Sequence, residues 1–268
     1  MCRIRKAFEV LKQENRAGLI TFITAGDPNL ETSQRILNQL PSSGVDIIEL
    51  GMPFTDPMAD GKAIQQANIR ALKNGQNITK TLKMVKDFRH KNTHTPVILM
   101  GYYNPIYIYG IEKFLVDANN SGIDGVIIVD LPPEEEEEFT NPAKKYDINL
   151  VRLITPTSDI QRMNKITKNA GGFIYYVSVA GITGGEAANK TDLAKQLQAI
   201  RTVTDLPIAV GFGIKTPQDV KDTADIGADA VVVGSAIVQK IGTIETSNGE
   251  TVDSVLKFVK TLSDSLKG

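Results

Sequence analysis

Two acidic residues, Glu49 and Asp60, bracket a loop stiffened by proline and glycine. The two-residue period of a strand places Glu49 on the same face as Ile47, at the carboxyl end of an apolar run. A carboxylate among apolar neighbours is unfavourable unless it is paired or used, and burial raises its pKa towards values useful in proton transfer. The spacing predicts acid–base chemistry. The alternative is that Glu49 forms an ion pair and that Asp60 and Asp56 only cap turns.

Three glycine-bearing turns, at 180–185, 211–214 and 234–237, follow the last three apolar runs of the chain. Glycine lets the backbone approach an anion closely, and free amides at a helix start supply hydrogen-bond donors. Ser235 adds a hydroxyl group. The turns predict a phosphate site built from main-chain amides; alternatively they are only tight turns and Ser235 is an N-cap.

Eight short apolar runs alternate with helical segments and must position these groups. We predict strands at 19–24, 45–50, 96–102, 125–130, 149–154, 172–178, 207–211 and 228–234. This alternation predicts an α/β fold, a single (β/α)8 TIM barrel domain over residues 1–268 with extra N-terminal and C-terminal helical segments; an open doubly wound sheet is the alternative. We also predict a helix that begins at Leu131 with Glu134–Glu138 in a solvated first turn, and an apolar packing stripe along 251–262.

Composition excludes several classes of function. The 30 basic and 31 acidic residues give a net charge of −1, so an anion must be bound locally and no nucleic-acid surface is indicated. Cys2 is the single cysteine and cannot form an internal disulfide. The N-terminus lacks an apolar signal sequence, and no run reaches the roughly 18–20 apolar residues of a membrane span. We therefore expect a soluble, cytoplasmic protein. His90 and His94 have no third ligand nearby, so no metal site is expected.

Six segments, in order along the chain, resemble the tryptophan synthase alpha chain family: 21–28, 48–61, 99–105, 130–134, 181–184 and 211–214. The resemblance implies retro-aldol cleavage of indole-3-glycerol phosphate to indole and glyceraldehyde 3-phosphate, a lyase reaction of tryptophan biosynthesis. It implies no cofactor in this chain. The expected partner is a beta chain that carries pyridoxal phosphate, in an alpha2-beta2 tetramer.

The resemblance also implies residue roles. Glu49 would handle protons at the indole C3 and the glycerol hydroxyl, and Asp60 would receive the indole N–H. The expected substrate-binding residues are Phe22, Met100, Tyr102, Ile127, Tyr175, Thr183 and Phe212, and the expected phosphate cradle is Gly184, Gly213, Gly234 and Ser235. Many relatives have an arginine where this chain has Val179, so loop closure is expected to be tuned differently.

A docking surface for the partner is expected at the loop 52–58 and at Pro132. The predicted interface residues are Pro53, Phe54, Asp56 and Pro132, because apolar side chains such as Met52 and Phe54 are unusual at a free surface. The alternative is that these side chains fold back onto the barrel. The tyrosines of 102–109 are interpreted mainly as packing residues, with Tyr102 alone facing substrate.

Two other functions remain open at this stage. Another phosphate-binding barrel, an isomerase, epimerase or synthase, would need a metal or a lysine at a strand end, whereas Lys62 and Lys215 lie beyond the strands. A catalytically silent regulatory subunit would not need both Glu49 and Asp60.

Overall fold

Nine parallel strands form one sheet that curves into a nearly closed barrel in the computed structural model. The structure describes residues 2–177, 186–211, 213–243 and 248–267. The strands are β1 Gly18–Thr24, β2 Ile47–Gly51, β3 Val97–Gly101, β4 Gly125–Ile128, β5 Asn149–Leu150, β6 Arg152–Ile154, β7 Ile174–Val177, β8 Ile208–Gly211 and β9 Ala230–Val233. Their order is β5-β4-β3-β2-β1-β9-β8-β7-β6. This confirms the predicted barrel and rules out the open doubly wound sheet, whose helices would cover both faces.

The strands β5 and β6 are the two halves of the predicted fifth strand, and the barrel closes between them. The first half pairs with β4 and the second half pairs with β7. Val151 separates them, and its amide still donates to Val126 on β4 at 2.9 Å. The eight predicted strands are therefore present, with the fifth changing its pairing partner in mid-run.

Twelve α-helices are found in the described part of the chain, and most of them follow a strand. They are α1 Arg3–Gln13, α2 Leu30–Gln39, α3 Lys62–Lys73, α4 Ile78–Arg89, α5 Tyr103–Tyr109, α6 Ile111–Ser121, α7 Glu137–Ala143, α8 Ile160–Thr167, α9 Glu186–Arg201, α10 Pro217–Asp225, α11 Ser235–Thr243 and α12 Asn248–Asp264. Side-chain caps start several of them, for example Asn29, Asn77 and Asp159, each of which accepts a hydrogen bond from an amide of the first turn. None of the helices in these ranges is long and apolar enough to cross a bilayer.

The helix α1 closes the amino-terminal mouth of the barrel. Its residues Ile4, Phe8 and Leu11 are buried in the same cluster as Phe173 and the inward side chains of the strands. The rings of Phe8 and Phe173 lie 5.9 Å apart. Because this mouth is filled, substrate must enter at the carboxyl ends of the strands, where barrel enzymes place their active sites.

The helix after β4 begins later than the sequence predicts. The predicted start is Leu131, whereas α7 begins at Glu137 and the residues before it form turns. Glu136 is not solvated, because it is only 2% exposed and forms an ion pair with Arg152. The prediction was wrong because a tertiary ion pair outweighs the local preference for a helical first turn.

The C-terminal helix α12 confirms the predicted packing stripe. Val252, Val255, Val259 and Leu262 are fully buried, and the helix packs mainly on α2 and α11. This stripe stabilises the outer layer and contributes no group to the carboxyl-end mouth.

Candidate active site

A cavity of about 850 Å³ opens at the carboxyl ends of the strands. Its wall brings together Glu49, Asp60 and the glycine turns at Gly213 and Gly234. A larger cleft of about 1100 Å³ lies at the opposite end beside α1, and none of the predicted site residues lines it. The size of that cleft does not make it the active site, since the acid–base groups all face the other cavity.

Glu49 is fully buried on β2, between Phe22 on β1 and Ile98 on β3 in the strand register. Neither carboxylate oxygen has a hydrogen-bond partner among the described residues. Burial therefore raises the pKa of Glu49 to about 8. The alternative that Glu49 forms a structural ion pair is not supported by any described contact. At neutral pH this side chain carries a proton.

Tyr175 on β7 lies near Glu49 in the barrel interior. Burial, and secondarily the charge of Glu49, hold the pKa of Tyr175 well above its usual range. The phenol therefore remains a neutral hydroxyl group. Gly211 gives it room, because a Cβ there would lie 2.3 Å from the tyrosine oxygen.

Asp60 lies in the loop between β2 and α3, where it is less buried than Glu49. Burial raises the pKa of Asp60 to about 6, opposed by hydrogen bonds from Asn68 and Tyr102 that favour the charged form. The Asn68 amide donates to the carboxylate at 3.3 Å. Two carboxyl groups of different pKa in one cavity can take different roles, one as an acid and the other as an anion.

Tyr102 supports Asp60 from behind and does not line the cavity. Its hydroxyl accepts a hydrogen bond from the amide of Ala59 at 3.0 Å, and its ring is buried. The pKa of Tyr102 is raised to about 12, first by burial and then by the charge of Asp60. The expectation that Tyr102 faces substrate is corrected: it positions the loop that carries Asp60.

The apolar part of the wall includes Phe22 and Met100, as predicted, but not Ile127. Ile127 is fully buried one layer deeper, in a cluster with Val151 and Tyr175. Val129, two residues further along the same face, reaches the cavity instead. The prediction identified the correct face of the chain after β4 but the wrong layer.

Three of the four residues predicted to bind phosphate, Gly213, Gly234 and Ser235, line the cavity. Gly213 has a φ of +77°, a conformation that favours glycine, and Ser235 is the first residue of α11. The amides of Ile237 and Val238 donate to the Gly234 carbonyl. The amides of Ser235 and Ala236 come before these two in the first turn of α11, where helix amides are placed to bind an anion. Thr183, Gly184, Phe212 and Val179 lie outside the described residues.

Four cationic residues also line the cavity: Lys62, Lys215, Arg152 and Arg162, the last of which forms an ion pair with Glu134. Lys62 and Lys215 are exposed at the rim, and the described residues form no ion pair with either of them. Arg152 is buried. A single arginine within the apolar run 149–154 was the sequence signal that could have identified it. Within the described ranges, no group of three potential ligands for a metal ion comes together.

The proline-rich loop after β2 mostly folds back onto the barrel. Met52 and Pro53 are buried, and Phe54 is half-buried against Tyr102, with ring centroids 5.4 Å apart. The argument that these side chains need a partner to cover them was wrong for Met52 and Pro53. Within this loop, Asp56 and Met58 are exposed, with Met58 at 80%.

Other exposed groups lie on neighbouring segments of the same end. Pro132 is exposed, as its predicted docking role requires. Tyr107 and Ile108 on α5 are 58% and 76% exposed, although the sequence interpretation assigned the tyrosines here to packing. A short helix with two large apolar side chains in solvent is unusual for a free surface.

Comparison with known proteins gives one consistent family. A model of the family described as tryptophan synthase alpha chain matches residues 8–267. A crystal structure of the tryptophan synthase alpha chain from Legionella pneumophila is 38% identical, with a TM-score of 0.89, and the match covers 99% of this chain and 97% of that one. Both the sequence and the whole architecture therefore match.

Two further structures agree. A tryptophan synthase complex from Pyrococcus furiosus contains a chain that is 38% identical, with a TM-score of 0.82, covering 92% of this chain and 98% of that one. Tryptophan synthase from Mycobacterium tuberculosis is 27% identical with a TM-score of 0.88, over 99% of each chain. Each of these matches extends over at least 92% of this chain.

Proposed function

The chain belongs to the tryptophan synthase alpha chain family, and we propose that it cleaves indole-3-glycerol phosphate to indole and glyceraldehyde 3-phosphate in tryptophan biosynthesis. The whole chain, residues 1–268, would act as one barrel domain. One observation carries the proposal: Glu49, buried and without a hydrogen-bond partner among the described residues, lines the same cavity as Asp60 and the glycine turns.

Glu49 would act as the proton shuttle. Its raised pKa of about 8 leaves a proton available at neutral pH for transfer to the indole C3. Protonated indole carries positive charge at its nitrogen. The resulting Glu49 carboxylate then accepts the proton of the C3′ hydroxyl as that carbon becomes the aldehyde. The electrons of the breaking carbon–carbon bond return to the ring, so protons and electrons balance.

Asp60 would stabilise the positive charge of the ring. It is ionised above its pKa of about 6, and it lines the same cavity as Glu49. An anion held in partly desolvated surroundings stabilises developing positive charge more strongly than it would in water. Because the protonated ring accepts the bonding electrons, the cleavage needs no cofactor in this chain.

The substrate phosphate would bind at the glycine turns. The amides of Ser235 and Ala236 at the start of α11, together with the close backbone approach that Gly213 and Gly234 allow, suit a dianion. Lys62 and Lys215 at the rim would add positive charge in a protein of nearly neutral net charge.

A pyridoxal-phosphate beta chain is the proposed partner, in an alpha2-beta2 assembly, as in the Pyrococcus furiosus alpha2-beta2 complex. The exposed residues Asp56, Met58, Pro132, Tyr107 and Ile108 support this, since they give the active-site end a surface with apolar groups left in solvent. Phe54 remains in the proposed interface. Pro53 is buried, so it would support the interface loop from the barrel side. We also propose a cytoplasmic location, since the single cysteine of the chain fits a reducing compartment.

The function is tested by measuring indole released from indole-3-glycerol phosphate, with and without an added beta chain. The substitution Glu49→Gln should abolish cleavage, because the amide neither donates nor accepts the required proton, while the fold and beta-chain binding are retained. Glu137→Gln, at an exposed glutamate, is the matched control. A wild-type chain that releases no indole under either condition would refute the assignment, and a Glu49→Gln variant with wild-type turnover would refute the role of Glu49.

A further inference from the structure

The mechanism leaves one buried charged pair beside the cavity unused. Arg152, on β6, is 4% exposed, and Glu136, just before α7, is 2% exposed. Their side chains form an ion pair. The Arg152 guanidinium also lines the cavity, and its Nη1 donates to the carbonyl oxygen of Leu131 at 2.7 Å.

Arg152 contacts Leu131 and Glu136 in a segment that forms one wall of the cavity, residues 129–136, which we call the β4 loop. Five successive residues of this loop, from Val129 to Pro133, line the cavity. Pro132 and Pro133 have no amide to donate, and the backbone bonds described from Leu131 onward join the loop only to itself, to its own strand and to the start of α7. Side-chain contacts must therefore fix its position.

A contribution to stability does not by itself explain the presence of this buried ion pair. Removing two charges from water is unfavourable, and an apolar pair of the same volume is often at least as stable. A buried guanidinium has fixed bond directions, however, and here it joins the Leu131 carbonyl to the Glu136 carboxylate. Asn169 holds the other side of Glu136, donating to Oε1 at 2.7 Å.

We propose that Arg152 is a positioning residue that, through Leu131 and Glu136, sets the place of the β4 loop as the wall of the substrate cavity. The same bonds set the place of Pro132, which is exposed on that loop. This inference rests on the proposed function for its substrate. Severing the pair should loosen the wall, weaken substrate binding and reduce activation by the beta chain.

The test compares Arg152→Met/Glu136→Leu, an uncharged pair of similar volume, with wild type in steady-state indole formation with and without beta chain. Arg5→Met is the matched control, since the Arg5–Glu9 ion pair lies in solvent on α1, at the opposite end of the barrel. We expect the double variant to raise KM about tenfold with a smaller change in kcat. The control should stay near wild type, and Arg152→Lys should recover part of the effect.

A second readout does not depend on activity. A glutamate-specific protease should cut the double variant at the loop glutamates at least tenfold faster than wild type or Arg5→Met. Glu136→Gln should be cut at an intermediate rate, which tests the inference if the double variant folds poorly. Wild-type KM in the double variant would overturn the inference, and so would a raised KM without faster cutting. Neither result would affect the proposed function, which only an inactive wild-type chain refutes.

Discussion

Glu49 holds a proton that the same residue would release in water. Its pKa is raised from the ordinary 4.5 to about 8 because the side chain is buried, with no hydrogen bond from the described residues. At a pH between these two pKa values, Glu49 keeps its proton in the native state but loses it in the unfolded chain. The free energy of unfolding must therefore fall as the pH rises through this window.

We predict that Glu49→Gln stabilises the protein above pH 5, by an amount that grows up to about pH 8 and is constant above it. The amide fills the same volume and does not ionise, so the variant avoids the proton linkage of the wild type, an effect on the order of 3 kcal/mol at pH 7. Chemical denaturation of both proteins at several pH values measures the difference. The two curves should meet below pH 4.5, and a difference that did not change with pH would contradict the burial argument.

Some of the site residues could be predicted from the sequence and others could not. The two-residue period of a strand and the stiff loop were enough to predict that Glu49 and Asp60 share a site, and both line one cavity. Ile127 was predicted to line the cavity but lies one layer deeper in the barrel, because the two-residue period gives the face of the strand and not the distance of a side chain from the barrel mouth. Arg152 was missed, since its partner Glu136 lies sixteen positions away and only the fold brings them together.

For the strands and helices, the sequence pattern predicted those features that depend on local interactions. The strand runs are continuously apolar, as strands buried on both faces should be, and all eight were identified. The change of pairing at Val151 was not predictable, because it depends on where the barrel closes. The start of α7 was wrong for a similar reason, since the contacts of Leu131 and Glu136 with Arg152 are tertiary.

The helix α1 yields a prediction of its own, because it fills the mouth opposite the active site. Phe8→Ala should leave a cavity beside Phe173 and destabilise the protein by about 3–5 kcal/mol. The loss should lower Tm by roughly 6–20 °C for a chain of this size. KM for indole-3-glycerol phosphate should not change below the melting temperature. A raised KM would show that α1 acts on the active site as well as on stability.

The whole chain has nearly equal numbers of acidic and basic residues, whereas two exposed lysines lie at the mouth of the active-site cavity. The net charge of −1 gives no long-range attraction for a phosphorylated substrate. Lys62 and Lys215 line that mouth, and the part of the chain that the structure describes offers neither of them an ion-pair partner. Attraction of the anion would therefore be local to the rim and sensitive to salt.

We accordingly predict that Lys62→Gln/Lys215→Gln lowers kcat/KM for indole-3-glycerol phosphate about threefold to tenfold at low ionic strength, with kcat nearly unchanged. The effect should shrink as salt is added, since ions screen exposed charges that lie more than about 8–10 Å from the phosphate. The control is Lys91→Gln, an exposed lysine before β3 at the opposite end of the barrel. Steady-state kinetics at several salt concentrations measure the difference. Equal salt dependence in the double variant and wild type would mean that the main-chain amides alone attract the anion.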